Sequence, residues 1–88
     1  MKEGKISNGF EYAVDEKRMD DMEFIDALSE TSTEDPTSIS IVVKKLLGTE
    51  QRKRLYDYLR EEDGRVPIEK TVDAVSEILD AMGDDGKN

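Results

Sequence analysis

The residues with the most chemical potential in this chain are its carboxylates and one short run of cations. Three adjacent acid pairs occur: Asp20-Asp21, Glu61-Glu62 and Asp84-Asp85. Paired carboxylates can hold a hard metal ion, or divide acid and base work, when their oxygens converge on one point. Neighbours on a helix point about 100° apart, so these pairs read as solvated faces. Glu61-Glu62-Asp63-Gly64 invites a calcium-loop reading. With Gly64 at the sixth loop position, Leu59 and Lys70 fall at the first and twelfth, where carboxylates are required. Pro67 at the ninth also fits poorly, so the segment reads as a corner between helices. The chain has no Cys and no His. A thiolate nucleophile, a Cys-ligated zinc and a Ser–His or Cys–His pair are therefore excluded. No Gly-rich phosphate loop accompanies the acids. The expectation is a protein without catalytic, cofactor or metal residues.

The cations lie in Gln51-Arg52-Lys53-Arg54. Lys44–Arg60 carries six basic and two acidic residues, whereas Glu11–Asp35 carries ten acidic and two basic, and Glu61–Asn88 nine and three. A basic helix is thus set between acidic segments in a chain of net charge −9. Sorted charge says more about partners than net charge does. The basic run resembles a nucleic-acid reader only superficially, because acidic flanks on both sides would be repelled by phosphates. Pairing with acidic helices of the same chain, another copy or an acidic partner is the better reading. No segment resembles a signal peptide. The longest run without polar residues, Ile41-Val42-Val43, is far short of the ~20 needed to span a membrane.

The elements that must position these residues read as a mainly α fold: one small four-helix domain over residues 1–88, with a short N-terminal β-hairpin or strand. In the β element, 5–14, Asn8-Gly9 suits a type I′ turn, and Phe10, Tyr12 and Val14 alternate as in a half-buried strand. A first helix is expected over 15–30, capped by Asp15. Its apolar residues Met19, Met22, Phe24, Ile25 and Leu28 spread over about 220°, wider than one contact requires. Asp35-Pro36 reads as cap and first residue of a second helix, 36–47, ending at Gly48. Ile39, Val42, Val43, Leu46 and Leu47 form its stripe, and Ile41 falls opposite. The β-branched run from Ser38 permits a strand instead, but the longer period and both ends favour helix. A third helix, 50–63, is capped by Thr49. A fourth, 67–82, carries a 4-3-4-3 seam of Ile68, Val72, Val75, Leu79 and Met82. Residues 83–88 read as a frayed polar tail.

Two segments, GFEYAVDEKRMDDMEFIDALSE and LLGTEQRKRLYDYLREEDGRVP, resemble the small tail assembly chaperones of long-tailed bacteriophages of Gram-positive hosts. The likeness runs from about Gly9 to Met82. It follows the order of an aromatic strand, Asp-Asp before an apolar helix, Leu-Leu-Gly, a basic helix, Asp-Gly-Arg-Val-Pro and a last amphipathic helix. The resemblance implies a non-enzymatic role in tail morphogenesis, in the host cell cytoplasm. It implies binding of the tape measure protein, recruitment of tail tube protein, and absence from the mature virion. Many such proteins are also made in a longer, frameshifted form, and the ending Lys87-Asn88 is compatible with an A-rich slippery codon pair.

Met22, Phe24 and Ile41 are the expected client contacts, with Arg52, Lys53 and Arg54 for charge pairing. Self-association into a homo-oligomer is a further use for the apolar excess. Neither nucleic acid nor membrane is an expected partner. The rival reading is an acidic phage or prophage regulatory module, a DNA mimic or a partner of a transcription factor.

Overall fold

The computed structural model describes residues 1–31 and 37–85. Strands β1 (Lys2–Lys5) and β2 (Glu11–Val14) form an antiparallel hairpin. Helices α1 (Met22–Glu30), α2 (Thr37–Leu59) and α3 (Ile68–Asp85) follow. Among the described residues the protein is mainly helical, with three helices where the apolar pattern predicts four.

The strand alternation holds: Phe10, Tyr12 and Val14 are all buried. The turn differs from expectation. A type I′ turn requires positive φ at two central residues, and here only Gly9 has it (φ 95°). The Gly9 amide donates to the Ile6 carbonyl (2.9 Å), and the Ile6 amide to the Phe10 carbonyl (3.0 Å). Ser7-Asn8 is therefore the centre, and Gly9 closes the turn as a bulge. This consumes the residues expected as the first arm, so β1 lies earlier, with Lys2 opposite Val14 and Lys5 opposite Glu11. The same closure recurs at Glu61–Arg65. There Gly64 (φ 92°) donates to the Glu61 carbonyl (2.9 Å), and the Glu61 amide to the Arg65 carbonyl (2.8 Å). In each turn the preceding Asx oxygen accepts the amide two residues on: Asn8 from Phe10 (2.9 Å) and Asp63 from Arg65 (3.0 Å).

The first helix is shorter than the expected 15–30, because two caps compete within it. Asp15 accepts from the Lys17 amide (3.0 Å) and starts only a 3₁₀ turn, Glu16–Arg18. Asp21, held extended, accepts from the Glu23 amide (2.9 Å) and starts α1. The expected Asp35-Pro36 cap lies outside the described residues.

The expected helices 36–47 and 50–63 are one element, α2, broken only at Gly48 (φ 76°, ψ 178°). That backbone region is essentially restricted to glycine. Continued without a break, α2 would place Leu55 and Leu59 about 170° around the axis from Val42, Val43, Leu46 and Leu47. All six are buried. The break at Gly48 turns the second stripe back toward the core, so no loop is needed and Thr49 continues the helix. The Arg18 side chain lies over the break and donates to the Lys45 carbonyl (3.5 Å), one of the acceptors freed where the first half ends. The second half stops at Leu59 rather than residue 63, because the Glu61–Arg65 turn begins.

In α3 the expected seam is rotated by roughly 60°. Thr71, Ala74, Val75, Ile78 and Met82 are buried; Ile68 is exposed, and Val72 and Leu79 are half-buried. Thr71 tolerates burial because its hydroxyl donates to the Pro67 carbonyl (2.9 Å). The helix runs through Asp85, past the expected end at Met82; residues 86–88 lie outside the described set. A single core joins all parts, with Val14, Phe24, Val42, Val43, Leu46, Leu55, Val75 and Ile78 fully enclosed.

Candidate protein-binding surface

Helix α1 has two apolar sides. Phe24 and Ala27 enter the core, where α1 packs on α2. Beside them Met22, Ile25 and Leu28 form a row at three-residue spacing, covering about 120° of the helix. These three side chains are 69%, 45% and 37% exposed. The wide arc read from the sequence is thus part core and part uncovered. Every charged residue on α1 is acidic: Glu23, Asp26 and Glu30. Asp20 and Asp21 precede it. Glu23 meets Lys45 (3.4 Å), whereas Asp20, Asp26 and Glu30 form no ion pair among the described residues.

The six expected partner-binding residues do not come together. Met22 lies in the exposed row. Phe24 is 1% exposed and is a core residue, so it is corrected from contact to packing. Its helical position points at α2 while its neighbours Met22 and Ile25 do not. Ile41 is exposed on α2, one turn from Lys45, which meets the polar flank of α1. It therefore does not extend the row. Lys53 pairs within its own helix with Asp57 (2.7 Å). Arg54 serves the hairpin: it lies 5.3 Å from the Phe10 ring centre, donates to the Glu11 carbonyl (3.2 Å) and to Gln51 Oε1 (2.7 Å). Arg52 is half-buried beside Leu55 and makes no ion pair among the described residues.

A clamp on the hairpin tip was missed by sequence reasoning. The Tyr58 hydroxyl donates to the Asn8 carbonyl (2.7 Å), and its ring tilts against Phe10 at 5.4 Å. From α3, Glu77 accepts from both the amide (3.0 Å) and the hydroxyl (2.7 Å) of Ser7. No sequence pattern marks contacts 50 and 70 residues apart. Tyr58 alone carried a hint, as an aromatic with a polar handle.

No family model, curated protein or solved structure matches the chain. The chemistry of the surface must be read from its residues. Lys53, and then Arg60, hydrogen-bond Asp57 and hold it below the ordinary aspartate range. The Arg65 side chain and then its amide do the same for Asp63, and the Ser7 hydroxyl and then its amide for Glu77. All three shifts favour the ionised form, which suits pairing and anchoring. Of the acid pairs, Asp21 caps α1 and Glu61 reaches Lys70 (3.4 Å), and the side chains of Asp84 and Asp85 lie outside those described. Among the described residues, no group of three or more acids is placed to hold a metal ion. A cleft of about 370 Å³ lies between Ser7, Tyr58, Arg60, Lys70, Asp73 and Glu77. Its charges are mixed: Glu61 pairs with Lys70 and Glu77 holds Ser7, whereas Asp73 forms no ion pair among the described residues. No described helix is long and apolar enough to cross a membrane.

Proposed function

We propose that this chain is a phage tail assembly chaperone that holds an apolar helical segment of the tape measure protein along α1. The reading extends to the host cytoplasm as site of action and to the tail tube protein as second partner. The observation that carries it is the exposed row Met22, Ile25 and Leu28 on a helix that Phe24 and Ala27 pack into the core. An uncovered apolar row at helical spacing is the geometry that receives another helix. The net charge of −9 keeps a protein with such a row apart from its own copies.

Chaperoning of this kind needs no catalytic group. It needs a rigid platform, and Phe24 and Ala27 anchor α1 to α2 for that purpose. It also needs reversibility. Three partly exposed side chains give a shallow contact that tube assembly can displace.

Co-expression with the tape measure protein tests the reading. The soluble yield of the client should rise with this protein and fall back when Ile25→Asp replaces it. Equal client solubility with and without the protein would sink the proposal.

A further inference from the structure

We propose that the segment received by α1 is a cationic amphipathic helix, with Lys or Arg along the margins of its apolar side. The proposal rests on the reading of the Met22–Ile25–Leu28 row as a client site, and adds the charge of its occupant.

The argument is charge complementarity at the edge of the row. On the helix, Asp26 follows Met22 by one turn, and Glu30 follows Asp26 by one turn. Asp26, about 40° around from Met22, borders the row on the side away from the core, whereas Glu30 lies about 160° around from Leu28 and does not. Asp20 and Asp21 lie at its N-terminal end. A helix laid along the row would bring its own margins against these carboxylates. Acidic margins would place like charges side by side; basic margins would pair with acids that have no ionic partner among the described residues.

The same charges argue against other occupants. A second copy would set an equally acidic α1 against this one, and of its basic run Lys53 is held by Asp57 and Arg54 by the hairpin, which leaves only the Arg52 cation of that run unengaged among the described residues. An anionic membrane surface or a nucleic acid would be repelled.

The test uses the whole purified protein and two synthetic amphipathic peptides, each about 18 residues or five turns long. Both carry the same leucine row; one has Lys margins and the other Glu margins. Binding is read by fluorescence anisotropy at low salt and near 1 M salt, where screening acts within about 3 Å. The Lys peptide should bind about tenfold tighter or more at low salt, as two or three pairs of opposite rather than like sign provide. The advantage should shrink at high salt. The double variant Asp20→Lys/Asp26→Lys should erase the preference while keeping its helical circular dichroism. Ile25→Asp should weaken the Lys peptide, even though it adds negative charge; unspecific attraction to an acidic protein would instead strengthen it. Equal binding of both peptides, still lost in Ile25→Asp, would overturn the charge inference and leave the client site standing. Binding of neither, or indifference to Ile25→Asp, would overturn both. A dimer in sedimentation that Ile25→Asp dissociates would assign the row to a second copy and also overturn the inference.

Discussion

Gly48→Ala is the sharpest perturbation of the scaffold that presents α1. Two routes are open to the variant. In the first, the break is kept and an alanine is forced into φ 76°, ψ 178°, at about 1–3 kcal/mol of backbone strain. Its Cβ would also lie 2.5 Å from Arg18 Nη2 and 2.8 Å from Arg18 Cζ. The guanidinium must swing away, giving up its hydrogen bond to the Lys45 carbonyl, which at 3.5 Å is long and counts for the low end of about 0.5–1.5 kcal/mol. In the second, α2 straightens into an unbroken helix. That releases the strain but turns Leu55 and Leu59 out of the core, at about 1.5–3 kcal/mol each. The first route is cheaper, and its cost sums to about 1.5–3.5 kcal/mol. For a chain of 88 residues this corresponds to a fall in Tm of roughly 6–28 °C. Thermal and urea unfolding followed by circular dichroism measure it. Arg18→Ala separates the two contributions and should lose only about 0.3–1.5 kcal/mol. A Gly48→Ala protein as stable as the parent, with greater helical content, would refute the reasoning: the two stripes of α2 would then not require a broken axis.

Other changes test the remaining assignments. Phe24→Ala should cost about 3–5 kcal/mol as a core truncation, whereas Met22→Ala, two residues away, should stay within about 0.5 kcal/mol; urea midpoints of the pair decide whether α1 faces the core as described. Tyr58→Phe keeps the ring on Phe10 and removes the bond to Asn8, so a loss of about 0.5–1.5 kcal/mol is expected, with hydrogen exchange rising at the hairpin tip. Glu77 has a lowered folded pKa, so the stability it contributes is complete above the ordinary glutamate value of roughly 4.3 and disappears as pH falls through the lower folded value. Glu77→Gln should therefore be less stable than the parent at pH 7 and should lose less on acidification, as urea midpoints at neutral and acid pH will report.

Much of the helical pattern was legible because it depends on local periodicity. The stripe Val42, Val43, Leu46, Leu47 and the alternation Phe10, Tyr12, Val14 were both readable, and both are buried. The merger of two expected helices into α2 was not, because Gly48 serves equally well as a terminator and as a one-residue break. Asp15 and Asp21 are equivalent caps in sequence, and only packing decides that the second starts α1. The rotation of α3 followed from Thr71, a polar residue whose burial depends on a bond to Pro67 that no hydropathy pattern records. The exposed row was half-legible. The breadth of the apolar arc announced a second face on α1, but which of Met22, Phe24 and Ile25 turned inward depended on where α2 packs. The hairpin clamp depends on pairs far apart in sequence, and a single chain carries no local sign of them.

The claim that α1 is the client face is tested most directly by amide-resolved NMR of the labelled protein, free and bound to a soluble tape measure segment. Shift changes should concentrate on residues 22–30, led by Met22, Ile25 and Leu28, with the hairpin clamp and the second half of α2 unmoved. Changes centred on the Tyr58–Glu77 cleft or on Ile68 and Val72 of α3, with α1 unchanged, would contradict it.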